Sequence, residues 1–76
     1  MSDKLPAIKP EQLIKILERK GWHLERIRGS HFMMKNPEMR RVVPIPMHSK
    51  ELKTGTLLAI MRSTEISKED LRDPLQ

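Results

Sequence analysis

The chain has 76 residues, a formal net charge of +5 at pH 7, 37% hydrophobic residues and no cysteine. This length allows one domain with a small core, and the lack of cysteine excludes disulfides and cysteine-ligated zinc as substitutes for core packing. The apolar runs are too short for a membrane span, and the N-terminal residues MSDKLPAIKP lack the apolar segment of a signal peptide, so we expect a cytoplasmic protein.

A first helix is predicted over residues 10–20. Pro10 is compatible with the first helical position, and Glu11 places a negative charge at the positive end of the helix dipole. The helix is expected to end before Gly21, which can adopt the left-handed conformation of a C-terminal cap. The apolar side chains of this segment recur on one helical face: Leu13, Ile14, Ile16 and Leu17.

A first strand is predicted over residues 22–28. Trp22 and Leu24 share one parity, which indicates one buried face, and Trp22 is expected to fill the core, although it could instead stack on a nucleobase. Ile27 has the opposite parity. Either a β-bulge or an early strand end near Arg26 accounts for this, and the sequence does not decide between the two.

Two further strands are predicted over residues 31–35 and 41–45, after a Gly-Ser turn. In the second strand, Phe32 and Met34 are expected on the buried face. Pro44 indicates that the third strand lies at an edge of the sheet or near a strand end. The alternate residues of the second strand are then on the accessible face: His31, Met33 and Lys35.

A second helix is predicted to begin directly after Thr54, which can act as its N-terminal cap. Ser67 and Asp70 resemble a capping box, so a short helical turn is expected to return Leu71 to the core. The apolar stripe of the second helix consists of Leu57, Leu58, Ile60 and Met61.

These elements predict an α+β fold with the order α-β-β-β-α. Two helices are expected to cover one face of a three-stranded antiparallel sheet, followed by a short C-terminal helical turn, while the other sheet face stays accessible. We expect residues 1–8 to form a flexible N-terminus and residues 9–76 to form a single domain.

Basic residues are concentrated in the middle of the chain. From Arg19 to Arg41 there are seven Lys and Arg residues against two acidic residues, an excess equal to the whole net charge. Lys and Arg gain affinity for a phosphate backbone by releasing its counterions, which favours a polyanionic partner. Alternatively, the charge only keeps a small domain soluble.

His31 is the candidate catalytic residue. RNA cleavage without a metal needs a base for the 2′-hydroxyl proton, an acid for the leaving 5′ oxygen and cations for the charge of the phosphorane. Histidine can act as either acid or base, because its ordinary pKa of about 6.5 lies near neutrality. His31 has three candidate RNA-binding residues close to it in sequence: Arg26, Arg28 and Lys35.

Three segments resemble the HicA (YcfA-like) toxin family in identity and order. They are Gly29-Ser30-His31, the strand and loop VVPIPMHSKEL at residues 42–52, and GTLLAIMR at residues 55–62. The tripeptide alone is common, but its position between a Gly-Trp helix end and a Glu-Leu-x-x-Gly-Thr helix start is specific. The resemblance covers about residues 9–71.

The resemblance implies a toxin of a toxin–antitoxin pair that cleaves mRNA as an endoribonuclease without a metal or another cofactor. It implies a fold of the double-stranded-RNA-binding-domain type, with the histidine at the position of His31 as the catalytic residue. It also implies neutralisation by a HicB-type antitoxin. We expect the toxin to be monomeric when free and to have no membrane association.

The chain departs from the family pattern beside this histidine. Many relatives have further histidines directly after the first, whereas three apolar residues follow His31 here. A second proton carrier must therefore come from elsewhere, and His48, in the loop before the second helix, is the candidate, with Ser30 as another supporting residue. His48 could equally cap that helix or bond a backbone carbonyl. His23 is expected to be structural or on the surface.

Two other functions are compatible with the sequence. A non-catalytic RNA-binding module would use the same fold and charge, and a small structural subunit would have no RNA affinity at all. Met33 on the accessible face is an apolar spot where an antitoxin could dock and cover His31. Ordinary scattered exposure of single apolar residues explains Met33 equally well.

Overall fold

The computed structural model describes residues 5–72; the first four residues of the predicted N-terminal segment and the last four of the predicted domain lie outside this range. It has the predicted α-β-β-β-α order with a short third helix, and this order is compatible with a double-stranded-RNA-binding-domain type of fold. The elements are α1 (Pro10–Arg19), β1 (His23–Arg28), β2 (His31–Asn36), β3 (Arg41–Pro46), α2 (Thr54–Thr64) and α3 (Lys68–Leu71).

The ends of α1 follow local rules. At its start, the backbone N–H of Lys9 donates to the side-chain oxygen of Gln12 at 2.9 Å, and Pro10 occupies the first helical position. At its end, Gly21 has a φ of +94°, and the N–H of Trp22 donates to the carbonyl of Leu17 at 3.0 Å. This turn places Trp22 in the core, where it is 2% exposed, rather than on a nucleic-acid-binding surface.

The three strands form one antiparallel sheet in the order β1-β2-β3, so β1 and β3 are both edge strands. The pairing of β1 with β2 shifts by one residue at Glu25: Leu24 lies opposite Met34, and Arg26 lies opposite the adjacent Met33. This is a β-bulge, and it brings Ile27 onto the same sheet face as Leu24. Of the two explanations that the sequence left open, the bulge is therefore correct.

The helices cover the sheet unevenly. Both α1 and α2 pack against β3, and Met34 in the central strand is completely buried beneath them. The prediction that β1 has a buried face was wrong: every residue of β1 is exposed, with Leu24 at 41% and Ile27 at 58%. These two side chains point to the helix-facing side of the sheet, but they lie beyond the edge of the helical layer.

The start of α2 differs from the prediction by one residue. Thr54 is the first helical residue, and Lys53 occupies the capping position without a side-chain hydrogen bond, because a lysine ammonium group cannot accept one. At the other end, the Arg41 guanidinium donates to the carbonyl of Ser63 at 2.9 Å and lies 3.6 Å from the Glu65 carboxylate. Arg41 therefore ties the start of β3 to the end of α2.

The predicted capping box at α3 is confirmed. The N–H of Asp70 donates to the Ser67 hydroxyl, and the N–H of Ser67 donates to the Asp70 carboxylate at 2.9 Å. Lys20, at the end of α1, lies 2.9 Å from the same carboxylate. Hydrogen bonds from Lys20 and Ser67 lower the pKa of Asp70, and Leu71 is buried as predicted.

The core extends upstream of residue 9. Ile8 is 3% exposed, and Leu5 packs against the core beside it. The carbonyl of Ile8 accepts a hydrogen bond of 2.9 Å from the N–H of Leu52, in the loop between β3 and α2. The segment before α1 therefore fixes the position of that loop.

Candidate functional site

The candidate site begins on the outer face of the sheet, the face opposite the helices. In the central strand, His31 pairs with Arg28 of β1 on one side and with Pro46 of β3 on the other. Directly paired residues of antiparallel strands share a face, so these three side chains lie side by side. His31 is exposed, as its parity in β2 predicted.

Ser30 holds the loop that carries the second histidine. Its carbonyl accepts a hydrogen bond of 2.8 Å from the N–H of Met47, and its hydroxyl oxygen lies 3.3 Å from Nδ1 of His48. A hydroxyl can donate to a neutral imidazole nitrogen and accept from a protonated one, so the contact suits either charge state of the ring. The β1–β2 turn thus orients a residue that is 18 positions away in sequence.

His31 and His48 lie close together in space. Their ring centroids are 6.5 Å apart, and the ring planes are inclined at 66°. Both side chains are exposed. Each exposed ring can exchange a hydrogen bond with a ligand in the space around it.

The two histidines share an open cleft of about 440 Å³. Such a volume falls within the range of about 300–1,000 Å³ that is typical of small-ligand sites. One wall consists of β3 residues of the outer face, and another consists of the start of α2. The lining residues are His31, Pro44, Pro46, His48, Ser49, Leu52, Lys53 and Thr56.

The three candidate RNA-binding residues occupy different positions relative to the cleft. Arg28 lies next to His31, and Arg26 lies opposite Met33, one outer-face position further along the sheet. Neither arginine lines the cleft, which opens on the β3 side of His31. Lys35 is still further away and forms an ion pair of 3.5 Å with Glu25, the bulge residue.

Lys53 and Thr56 line the cleft but were missed as site residues. The sequence analysis used the surrounding Glu-Leu-x-x-Gly-Thr motif only as a family marker. The sequence does contain a signal for them. The motif begins three residues after the candidate His48 and contains a basic residue and a hydroxyl residue, both of which can bind a phosphate. Their position beside His31 results from the packing of α2 against β3, which local patterns do not specify.

The remaining histidine, His23, lies at the far end of β1 and is exposed, as expected. Among residues 5–72, no group of three or more His, Asp or Glu side chains is arranged to hold a metal ion. None of the helices described here combines the length and apolar character that crossing a membrane requires.

Fold and site together define a class: a small α+β domain that presents two histidines in an open cleft at the β3 edge of its sheet and two arginines on the opposite edge strand, β1. A sequence model of the family described as the HicA toxin of bacterial toxin–antitoxin systems matches residues 10–66. The chain belongs to the HicA toxin family, and it is therefore a toxin with an antitoxin partner. No curated protein matches the chain.

Proposed function

We propose that this toxin is a metal-independent endoribonuclease that cleaves mRNA in the cytoplasm, using His31 and His48 as its acid–base pair. The observation that carries the proposal is the 6.5 Å separation of the two imidazole rings within one open cleft. Histidine is the residue best suited to exchange protons near neutral pH, and cleavage of RNA requires two such exchanges.

The reaction is an internal transesterification. One imidazole takes the proton of the ribose 2′-hydroxyl, whose oxygen attacks the adjacent phosphorus. The bond between phosphorus and the 5′ oxygen of the next nucleotide breaks, and the other imidazole donates a proton to that oxygen. The products are a 2′,3′-cyclic phosphate and a free 5′-hydroxyl, and both histidines have exchanged protonation states.

Ser30 acts as a positioning residue. Its hydroxyl contacts Nδ1 of His48 and leaves Nε2 of the same ring for proton transfer. Because a hydroxyl can donate or accept, the contact persists when His48 changes charge during the cycle.

The arginines of β1 supply attraction for RNA. Arg28 lies beside His31, and Arg26 lies one outer-face position away, so both attract the RNA backbone to this face of the sheet. Lys35 contributes less, because Glu25 already neutralises much of its charge at 3.5 Å.

A HicB-type antitoxin inhibits the toxin by covering the outer face of the sheet. Met33 lies between Arg26 of β1 and Pro44 of β3 on this face, in the same strand as His31. A partner that buries Met33 and pairs with the arginines also covers His31, so inhibition needs no change in toxin structure. The free toxin is a monomer in this proposal.

The test uses purified protein, a long mRNA and excess EDTA. The wild type should produce fragments that end in a cyclic phosphate, and His31→Ala should lower the rate by about 10²- to 10⁴-fold. His23→Ala is the matched control, since it removes an exposed histidine from the same sheet at a distance from the cleft. Equal activity of His31→Ala and the wild type would contradict the proposal.

The second candidate function is RNA binding without catalysis, which the exposed arginines Arg26 and Arg28 favour. It predicts salt-dependent RNA affinity and intact RNA after long incubation. Affinity that is equal in the wild type and His31→Ala, combined with no fragments from either, would support this alternative.

A further inference from the structure

Lys53 lies at the start of α2 and lines the cleft that contains both histidines, together with Thr56. Its side chain is exposed, and no residue within 5–72 forms an ion pair with it. Among the described residues, Lys53 is the one Lys or Arg side chain in the cleft lining. Its charge is therefore available to a ligand bound there.

A phosphate bound between two histidines gains negative charge on its oxygens as the 2′ oxygen attacks, and a nearby cation stabilises that charge. The arginines of β1 lie on the other side of β2 from the cleft, so Lys53 is better placed for this role. We propose that the Lys53 ammonium group and the Thr56 hydroxyl bind the scissile phosphate, and that a single RNA strand follows the groove along β3.

The cleft shares lining residues with two neighbouring clefts, and we take the three together as the groove. Past His48 and Ser49, it meets a second cleft of about 380 Å³, whose other lining residues are Lys9, Glu11 and Lys50. Past Pro44 and Thr56, it meets a third of about 260 Å³, which adds Val43, Ala59, Ile60 and Ser63. One arm of the groove thus has two lysines and one carboxylate, and the other arm is largely apolar.

The charged arm of the groove suits the phosphates of a single RNA strand, and the apolar arm suits its bases. Phosphates on one side of the scissile bond contact Lys9 and Lys50, and an unstacked base on the other side packs on the apolar surface near Pro44 and Ala59. Duplex RNA is recognised by contacts that span about 16 base pairs, whereas these three clefts offer sites for phosphates and for an unstacked base. The substrate class is single-stranded RNA.

This inference rests on the proposed function, and the experiment separates the two. Initial rates are measured on a fluorescently labelled single-stranded oligoribonucleotide and on its duplex. Lys53→Ala should reduce kcat by about 10²-fold, the typical loss for one donor to a developing anion, while Lys53→Arg keeps most of the activity. Lys15→Ala, which removes an exposed lysine outside the groove, should have no effect.

Binding is measured separately in the His31→Ala background by fluorescence anisotropy at several salt concentrations. Loss of Lys53 should reduce the slope of log affinity against log salt by about 0.7, the value for one phosphate contact on a single strand. Thermal unfolding of each variant confirms that the fold is intact, which is expected because the Lys53 side chain is exposed.

The outcomes distinguish the two proposals. If the wild type cleaves and Lys53→Ala behaves like Lys15→Ala, the role of Lys53 is wrong while the nuclease stands. If the wild type binds RNA but does not cleave it, the proposal of nuclease activity is wrong. The change in salt slope on loss of Lys53 still tests whether this residue contacts a phosphate. Equal loss in Lys53→Ala and Lys53→Arg, or duplex cleaved as fast as single strand, would also overturn the inference.

Discussion

The two edges of the sheet have opposite structural roles. At β3, helices cover the inner face and their packing builds the cleft, so the core and the candidate site adjoin each other. At β1, every residue is exposed, the strand is bulged, and its arginines lie on the outer face. Stability is therefore concentrated in the β3 half, while the β1 half can change with little effect on folding.

The strongest test of this difference removes one large side chain from each half. Met34→Ala should destabilise the protein by about 2–5 kcal/mol, because it leaves a cavity under the helices. Ile27→Ala, on the same sheet face but 58% exposed, should cost about 0.5 kcal/mol or less. Urea unfolding measures both, and similar losses would mean that the two halves are equally important for stability.

A second test asks whether the chemistry of the β3 half depends on the contact between Ser30 and His48. His48→Ala should lower the cleavage rate by about 10²-fold, the usual contribution of an acid or base. Ser30→Ala should lower it by about 2- to 10-fold, as expected for one hydrogen bond of about 0.5–1.5 kcal/mol.

A double-mutant cycle provides the control for this pair. Ser30→Ala should have no further effect on the rate when His48 is already alanine, since the hydroxyl then has no imidazole to orient. Additive losses would show that Ser30 acts independently of His48.

Part of this arrangement could be predicted from local sequence. The helix end at Gly21, the capping box at Ser67 and the parity that exposes His31 each depend on a few neighbouring residues, and all three predictions are confirmed. The sequence offered His48 only as a candidate for the second proton carrier, since its distance from His31 depends on a backbone bond between Ser30 and Met47, which are far apart in the chain.

Other features depend on how the elements pack, which periodicity does not determine. The parity of Leu24 is that of a buried residue, yet the helical layer does not extend over β1. The start of α2 is one residue earlier than predicted because the backbone makes the turn at Lys53 without a side-chain cap. The same packing of α2 against β3 brings Lys53 to the cleft.

A third test addresses the C-terminal helix, which docks on α1. Hydrogen bonds from Lys20 and Ser67 lower the pKa of Asp70 in the folded protein, so ionisation of this carboxyl group adds to the stability of the fold. Its contribution is complete above the ordinary carboxyl pKa of about 3.9 and is lost progressively as pH falls below that value towards the lowered pKa.

Asp70→Asn should therefore reduce stability at pH 7 by about 1 kcal/mol or less, because the amide keeps an acceptor for the Ser67 N–H but loses the ion pair with Lys20, and it should weaken the loss of stability on acidification. The measurement is urea unfolding between pH 2 and pH 7, with Glu69→Gln on the same helix as the control. If the free energy of unfolding of Asp70→Asn fell with pH as steeply as that of the wild type, Asp70 would not be a source of the acid sensitivity.

The smallest expected effect lies in the β1 half. Glu25→Gln should leave stability within about 0.5 kcal/mol, because exposed ion pairs contribute little. It should raise RNA affinity slightly at low salt, since Lys35 is no longer paired and one negative charge is gone. Titration of RNA into the His31→Ala background checks this, and weaker binding would show that the bulge carboxylate supports the arginines instead.

The backbone bond between Ile8 and Leu52 affects how this toxin can be shortened for laboratory use. The family match begins at residue 10, so a fragment chosen by that boundary lacks the carbonyl that anchors the loop beside His48. In the proposed mechanism, such a fragment loses toxicity because the loop that carries His48 is no longer anchored beside His31. The loss of toxicity would then result from the removal of residues 1–9, so the fragment could not show whether the full chain is toxic.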